Sequence, residues 1–213
     1  MRCDKNDLLL YGVTDRSWLG DRTLAQQVEA SLRGGATMIQ LREKHMDRGS
    51  ILAQALELRE LCGRYGVPLI LNDDAELAQA AGADGVHVGQ SDMEAGRVRA
   101  LLGEDKLIGV SARTVEQALA AQAAGADYLG VGAMFPTGTK QDTRPVSYDT
   151  LKAICAAVDI PVVAIGGIGA GNVAELAGSG IAGVAVVSAL YAQPDVEAAT
   201  RSLRAQVERV VGP

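Results

Sequence analysis

The chain has 213 residues and a formal charge of −6. That length suits one large domain or two small ones, and the acidic balance without a basic run argues against a nucleic-acid partner. Hydrophobic residues make up 48% of the chain but aromatic residues only 3%, so its core has to be built from Ala, Val, Leu and Ile, which is typical of helices packed on a buried parallel sheet.

Short apolar runs alternate with amphipathic segments along the whole chain. The predicted strands are 8–13, 36–43, 68–72, 85–89, 107–111, 128–134, 161–166 and 183–188. The predicted helices are 22–33, 50–64, 74–81, 93–102, 114–124, 148–157, 171–178 and 194–210. Eight strand-then-helix units predict an α/β protein that forms a single parallel (β/α)8 TIM barrel over residues 1–213.

Glycine-rich segments recur at 34–36, 81–85, 124–127 and 178–183, each between a predicted helix and the next strand. Glycine at these positions allows the left-handed conformation that often ends a helix. Each repeat covers two strand–helix units, and the four repeats carry equal weight. The alternative architecture, a doubly wound sheet, gives no reason for four quarter-repeats, and no topological switch point is visible. The repeats therefore favour the closed barrel.

Polar side chains gather where the second strand ends. Gln40, Arg42 and Lys44 alternate with Leu41 and Glu43, so the first three face one side of the strand. Two cations and an amide on the interior side of a barrel suit an anionic ligand such as a phosphate ester. The alternative is a solvated strand end that carries scattered charges.

Carboxylates follow the next two strands. Asp73 comes after strand 3, Asp92 comes after strand 4, and Asp74 is placed to cap the helix that begins near Ala75. Asp92 is equally well placed to cap the helix that begins near Met93. Because neighbouring barrel strands lie about 5 Å apart, Asp73 and Asp92 could share one hard cation. Two carboxylates, water and ligand phosphate oxygens predict Mg²⁺ there.

A second anion site is predicted after strands 7 and 8, in the segments 164–169 and 186–190. Many barrels bind phosphate with backbone N–H groups at this position, where glycine allows close approach and Ser188 adds a hydroxyl. The long polar segment 135–146 follows strand 6 at the same end of the barrel and reads as a substrate-covering lid. His87 lies in mid-strand and is expected to be a hydrogen-bonded core residue.

Location is predicted from the cysteines and the apolar runs. Cys3, Cys62 and Cys155 show no disulfide or metal spacing, and the last two fall at helical spacing among apolar residues. No run approaches the ~20 apolar residues that cross a bilayer, and the N-terminal segment has the features of neither a signal peptide nor an anchor. We expect a soluble cytoplasmic protein with reduced thiols and no membrane partner.

Seven motifs together resemble one family. They are QLREK at 40–44, NDD at 72–74, GVHVGQSD at 85–92, IGVS at 108–111, FPTGTK at 135–140, AIGGI at 164–168 and AVVSA at 185–189. In this order, over essentially the whole chain, they resemble the thiamine phosphate synthase family. The resemblance implies that hydroxymethylpyrimidine diphosphate is joined to thiazole phosphate with Mg²⁺, giving thiamine phosphate and pyrophosphate.

The resemblance also implies roles for particular residues. Those implied for the pyrimidine diphosphate are Gln40, Leu41, Arg42, Glu43, Lys44 and Asn72, with Asp73 and Asp92 for the metal. Ser111 and Lys140 are implied to be catalytic, through contacts with the diphosphate and the leaving pyrophosphate. Those implied for the thiazole phosphate are Thr137, Gly138, Thr139, Gly167, Val187 and Ser188.

The implied mechanism is dissociative: pyrophosphate leaves first, and the thiazole nitrogen captures the methylene cation that remains. Such a reaction needs charge neutralisation and positioning more than a general base. The alternatives are a thiazole tautomerase-like protein, a non-catalytic phospholigand-binding relative and another phosphate-binding barrel enzyme such as a sugar-phosphate epimerase. The sequence leaves the oligomeric state open, including a homo-oligomer.

Overall fold

The computed structural model describes residues 3–137 and 145–212 and shows a closed barrel of eight parallel strands. Each strand pairs with the next in chain order, and the eighth pairs with the first. The strands are β1 (Leu10–Val13), β2 (Met38–Leu41), β3 (Leu69–Asn72), β4 (Gly85–Val88), β5 (Leu107–Ala112), β6 (Tyr128–Gly132), β7 (Val162–Ile165) and β8 (Gly183–Val186). The predicted TIM barrel is confirmed.

The helices surround the strands. They are α1 (Leu24–Arg33), α2 (Arg48–Tyr65), α3 (Ala75–Ala81), α4 (Ala95–Leu102), α5 (Val115–Ala123), α6 (Tyr148–Ala157), α7 (Ser188–Tyr191) and α8 (Val196–Val211). Among the residues described, no helix combines the length and apolar character needed to cross a membrane.

Between β7 and β8 the predicted helix 171–178 is wrong, because the structure has only a 3-10 turn at Val173–Leu176. Glycines bracket this segment, and glycine is a poor helix former. Gly178 and Gly180 have φ of 76° and 90°, which no right-handed helix accepts. The connection is therefore a compact turn that brings β8 directly beside β7.

Several strands are shorter than predicted. The apolar run 8–13 forms strand only from Leu10, because Lys5–Leu8 folds into a 3-10 turn. Leu8 is nevertheless fully buried, inside the base of the barrel. Hydrophobicity marked burial correctly there, but it does not mark where backbone pairing begins.

The core has two layers, which the alternation in β2 separates. Met38 lies in the cluster inside the barrel, together with Tyr11 and Tyr128. Ile39 and Leu41 point the other way and pack in the larger cluster between strands and helices. Gln40 lies on the inner side and is 4% exposed, so a polar layer sits inside the barrel above the apolar base.

Three of the four glycine-rich segments end α-helices as predicted, whereas the fourth follows the 3-10 turn Val173–Leu176. Gly35, Gly82, Gly125 and Gly180 have φ of 98°, 62°, 91° and 90°, in the left-handed region that favours glycine. Gly82 ends α3, and Asp74 begins the same helix. Asp74 accepts a hydrogen bond from the Leu77 N–H at 2.8 Å and is the N-cap, as predicted. These short, well-defined turns fix the register of the strand ends that carry the polar residues.

The three cysteines are free thiols in partly or fully apolar surroundings. Cys62 is fully buried, and burial raises its pKa to about 12. Cys155 packs at the edge of the core, where burial raises its pKa to about 11. Thiols that stay protonated at neutral pH are poor nucleophiles, which fits the predicted structural role.

Candidate active site

A cavity of about 530 Å³ opens at the carboxyl ends of the strands. Most of the residues that the sequence singled out line it, although they come from seven separate segments of the chain. The predicted residues that line the cavity are Gln40, Arg42, Lys44, Asn72, Asp73, Asp92, Ser111, Thr137, Gly167, Val187 and Ser188. The barrel topology alone accounts for this gathering, because every strand of a parallel barrel ends on the same face.

The side chains that follow β2 run from the cavity floor to its rim. Gln40 is buried, and its Nε2 donates to the Tyr11 hydroxyl at 2.7 Å. The Arg42 backbone N–H donates to the Thr14 hydroxyl at 3.0 Å, which fixes the chain where strand pairing ends. Lys44 is exposed at the rim. This wall therefore offers a buried amide first and then two cations.

Leu41 and Glu43 face away from the cavity. The Leu41 side chain is 1% exposed and packs under the helices. The Glu43 carboxylate lies 2.7 Å from Arg16 Nε, with its side chain 5% exposed. Burial raises the pKa of Glu43, and the attraction of Arg16 opposes that shift without cancelling it. The structure therefore separates these two side chains from Gln40, Arg42 and Lys44, and a ligand in the cavity could reach only their backbone.

Asp73 has an unusual and well-held conformation. Its φ of 65° lies in the left-handed region, the only such case among the described non-glycine residues. The backbone N–H donates to the His87 carbonyl at 2.8 Å, and the Asn72 side-chain amide donates to Asp73 Oδ2 at 2.6 Å. A left-handed Asp costs roughly 1 kcal/mol, so the surrounding bonds have to hold it there.

Asp92 lies on the neighbouring β4 connection. Its carboxylate accepts a hydrogen bond from the Gly89 N–H at 2.6 Å, inside its own loop. The N-cap of α4 is Glu94, which accepts from the Gly96 N–H at 3.3 Å. The capping interpretation of Asp92 is therefore wrong, and its carboxylate lines the cavity instead.

The two carboxylates suit a hard cation that takes the rest of its ligands from elsewhere. Among residues 3–137 and 145–212 there is no cluster of three or more His, Cys, Asp or Glu side chains that could hold a metal. Mg²⁺ is commonly held by one or two carboxylates, water and substrate phosphates, so it does not require such a cluster. The donor set of Asp73 and Asp92 fits Mg²⁺ on these chemical grounds.

His87 and Ser111 meet on the opposite wall. His87 Nε2 lies 3.0 Å from Ser111 Oγ, and Nδ1 lies 3.2 Å from the Tyr128 hydroxyl. A side chain at Gly109 or Gly130 would overlap the His87 ring, so these glycines make room for it. The prediction that His87 is a hydrogen-bonded core residue is confirmed.

The turn after β7 forms the third wall. Gly166 and Gly167 have φ of 97° and 67°. Asn172 holds the turn, because its side chain accepts from the Gly169 N–H and donates to the Gly167 carbonyl, both at 2.9 Å. Ser188 follows β8 beside it and is exposed to the cavity.

A second cavity, also of about 530 Å³, adjoins the first on this side. The two share Thr137, Gly167, Ile168 and Ser188. Its far wall includes Trp18, which is 43% exposed.

Part of the predicted lid, including Gly138, Thr139 and Lys140, lies outside the described residues. The ends of segment 135–146 are described: the Phe135 N–H donates to the Gly166 carbonyl at 3.0 Å, and the Val146 N–H donates to the Ala133 carbonyl at 2.9 Å. Both ends are thus attached at the cavity mouth.

Some residues of the lining were assigned no role from the sequence. Arg113 is one of them: the sequence places this cation near the barrel mouth, and it lines the cavity beyond Ser111, where its backbone N–H donates to Gln117 Oε1 at 2.8 Å. Arg113 stands two residues after Ser111, so strand alternation puts both on the same side, as it does Gln40 and Arg42. Tyr11 and Gln90 also line the cavity; a buried Tyr in an apolar strand carried no signal of this kind.

The closed parallel barrel, with its polar cavity at the carboxyl ends of the strands, defines the class: a (β/α)8-barrel enzyme. A family model described as thiamine monophosphate synthase matches residues 10–190. The chain therefore belongs to the thiamine monophosphate synthase family, whose members are transferases.

Individual relatives agree with this assignment. The chain is 48% identical over 199 residues to a thiamine-phosphate synthase of Ruminiclostridium cellulolyticum, covering 93% of this chain and 95% of the relative. It is 50% identical over 202 residues to that of Chloroflexus aurantiacus, covering 94% and 93%. A solved structure of thiamine phosphate pyrophosphorylase from Pyrococcus furiosus superposes with a TM-score of 0.90 at 38% identity, covering 98% of this chain and 99% of the other.

Proposed function

We propose that this protein condenses 4-amino-2-methyl-5-hydroxymethylpyrimidine diphosphate with thiazole phosphate to give thiamine phosphate and pyrophosphate. The observation that carries the proposal is one cavity with two ends suited to anions. Arg42 and Lys44 line one wall, and the turn at Gly167 with Ser188 lines the other. A single anionic substrate would need only one such end, whereas this reaction brings two together.

The pyrimidine diphosphate is assigned to the wall formed by β2 and β3. Gln40 presents its amide from the cavity floor, where it can hydrogen-bond the aminopyrimidine, and Arg42 and Lys44 offer donors to the diphosphate. Asn72 orients Asp73 through the 2.6 Å hydrogen bond. Asp73 and Asp92 are proposed to hold Mg²⁺, which when bound neutralises part of the diphosphate charge.

In the proposed reaction the C–O bond between the pyrimidine methylene and the diphosphate breaks, and its electron pair leaves with pyrophosphate. The aminopyrimidine ring stabilises the methylene cation, and the thiazole nitrogen then supplies the electron pair of the new C–N bond. No proton has to be removed, so no general base is required. Ser111 and Lys140 are assigned to hydrogen-bond the leaving pyrophosphate. Among the described residues, Arg113 adds a third cation to the cavity besides Arg42 and Lys44.

The thiazole phosphate is assigned to Thr137, Gly138, Thr139, Gly167, Val187 and Ser188. The polar ends of the substrates then lie on opposite walls, and the reacting atoms meet between them. Holding two reactants in this way converts a bimolecular step into an effectively unimolecular one. A homo-oligomer does not enter the proposal, because every residue assigned a role belongs to one chain. The free thiols fit a reducing compartment such as the cytoplasm.

The test is an end-point assay of purified protein with both substrates, with and without Mg²⁺, followed by mass detection of thiamine phosphate. Product only with Mg²⁺ supports the proposal. Asp92→Asn should lose the Mg²⁺-dependent product, and Asp105→Asn is its matched control because Asp105 is exposed and does not line the cavity. Absence of product from the unaltered chain would favour a tautomerase-like or purely ligand-binding role.

A further inference from the structure

A continuous chain of hydrogen bonds crosses the barrel interior under the cavity and joins Gln40 on β2 to Ser111 on β5. Gln40 Nε2 donates to the Tyr11 hydroxyl at 2.7 Å, and the Tyr11 and Tyr128 hydroxyls are 3.0 Å apart. The Tyr128 hydroxyl is 3.2 Å from His87 Nδ1, and His87 Nε2 is 3.0 Å from Ser111 Oγ. Two walls of the candidate active site are thus linked through the core.

This chain of hydrogen bonds is shielded from water. Tyr11 and Tyr128 are 1% and 0% exposed, Gln40 is 4% exposed and His87 is 9% exposed. Burial raises the pKa of both tyrosines far above neutrality, so each phenol keeps its proton. Each phenol therefore has one proton to donate and an oxygen that accepts.

An amide nitrogen can only donate a hydrogen bond. With Gln40 Nε2 facing the Tyr11 hydroxyl, the direction of each following hydrogen bond, from Tyr11 to Ser111, is set. Tyr11 accepts from Gln40, so its own proton goes to Tyr128. The proton of Tyr128 then goes to His87 Nδ1, which has to be unprotonated. The remaining proton of a neutral imidazole is on Nε2 and is donated to Ser111.

We propose that His87 is a positioning residue, held as the Nε2–H tautomer, that makes Ser111 Oγ an acceptor on its barrel side and so turns the Ser111 hydroxyl proton into the cavity. A hydroxyl presented in this way donates to an anionic oxygen. Taking that oxygen to be the leaving diphosphate rests on the proposed function, whereas the tautomer itself does not. The buried tyrosines thereby set the direction in which a cavity residue donates.

The opposite direction is a defined alternative. It requires the Gln40 amide to be turned so that its oxygen accepts from Tyr11, and it makes His87 the Nδ1–H tautomer. Ser111 would then donate to His87 and present a lone pair to the cavity. A lone pair facing an anionic ligand is repulsive, so the two directions predict opposite roles for Ser111.

The first experiment reads the tautomer without any ligand. The chain has two histidines, and His45 is exposed, so a His45→Gln protein carries His87 as its single histidine. Nitrogen-15 spectra of the labelled ring at about pH 8, where an ordinary imidazole is neutral, separate a protonated from a bare nitrogen. We expect protonated Nε2 and bare Nδ1. Protonated Nδ1, or an even mixture of the two, overturns the proposal.

The second experiment interrupts the chain of hydrogen bonds one step away from His87. Tyr128→Phe removes the donor to Nδ1, and Tyr191→Phe is the matched control. Tyr191 is also fully buried, but its hydroxyl lies 3.3 Å from Ser31 Oγ, outside the chain. We expect Tyr128→Phe to reduce the Nε2–H population and to lower kcat about tenfold, the effect of one lost hydrogen bond to an anion, with KM for thiazole phosphate within about twofold. Equal losses in the two variants would overturn the proposal.

A third comparison keeps the donor while replacing the ring. In His87→Gln the amide nitrogen can occupy the position of Nε2 and donate to Ser111, whereas the shorter His87→Asn side chain cannot reach it. The Gln variant should retain at least about tenfold more kcat than the Asn variant, and the reverse order would contradict the assignment. If the wild-type protein shows the Nε2–H tautomer without any turnover, the proposed function fails alone. Turnover accompanied by the Nδ1–H tautomer means that this inference fails alone.

Discussion

The side-chain amide of Asn72 donates a 2.6 Å hydrogen bond to the carboxylate of Asp73, the residue that follows it in sequence. Asp73 adopts φ of 65°, and its N–H is fixed to the His87 carbonyl at 2.8 Å. Strand β3 therefore ends in a kink that turns one carboxylate into the cavity. Backbone strain held by neighbouring bonds is a common feature of functional sites.

This relationship predicts that two substitutions at Asp73 have the same effect on activity but different effects on stability. Asp73→Gly and Asp73→Ala should both lose Mg²⁺-dependent turnover, because the carboxylate is gone. The Gly variant should be more stable than the Ala variant by about 1 kcal/mol, since only Gly accepts φ of 65° without strain. Urea unfolding and the end-point assay measure the two effects separately. Substantial activity in either variant would remove Asp73 from the metal site.

Arg42 tests the assignment of the two walls. Arg42→Ala should raise KM for the pyrimidine diphosphate by about tenfold to a hundredfold, the range for a lost charge-assisted hydrogen bond. KM for thiazole phosphate should change far less, because that substrate is assigned to the other wall. Arg201→Ala is the control, since Arg201 is an exposed helix residue paired with Glu197. Equal changes for the two substrates would contradict the assignment.

Glu43 tests the separation of the side chains that follow β2. Because the Glu43 side chain faces Arg16 and not the cavity, Glu43→Gln should leave both KM values within about twofold of wild type. A tenfold rise in either KM would mean that the Glu43 side chain does contribute to substrate binding.

The same substitution has a predicted pH signature. Burial raises the pKa of Glu43 above its unfolded value, so the folded state is penalised as pH rises through the unfolded pKa, near 4.3, toward the folded one. Glu43→Gln has no such penalty. Its free energy of unfolding relative to wild type should therefore increase between pH 4 and pH 7, as urea titrations at both values would show. A decrease over that range would mean that the Arg16 pair dominates.

Trp18 offers an optical test of the second cavity. It is the only tryptophan of the chain, it is partly exposed, and it lines the cavity that shares Gly167 and Ser188 with the candidate active site. Thiazole phosphate alone should change the emission of Trp18, and Ser188→Ala should weaken the apparent affinity. A response to the pyrimidine diphosphate alone, with none to thiazole phosphate, would reverse the two ends.

Much of the fold and site followed from local patterns. Alternation in the sequence of β2 predicts that Gln40 and Leu41 face opposite sides, because successive side chains of a strand point to opposite faces. The prediction that glycine ends helices is also confirmed, for example at Gly82 and Gly125. The function came from the motif order and not from these patterns.

Other features required the structure because they depend on distant residues. Tyr11 and Tyr128 are 117 positions apart in sequence, and nothing local marks their hydrogen bond. The capping question at Asp92 was decided by Glu94, which is two residues away and itself occupies the N-cap position of α4. Helix periodicity at 171–178 failed because the flanking glycines outweighed the apolar spacing.

The most direct test of the account is a crystal structure of the protein with thiamine phosphate, pyrophosphate and Mg²⁺. We expect the phosphate group of thiamine phosphate at Gly167 and Ser188, and pyrophosphate beside Arg42, Lys44 and Ser111. We also expect Mg²⁺ bound by Asp73 and Asp92. The product phosphate at Arg42, or a metal bound without either carboxylate, would contradict the account of one cavity with two separate anion ends.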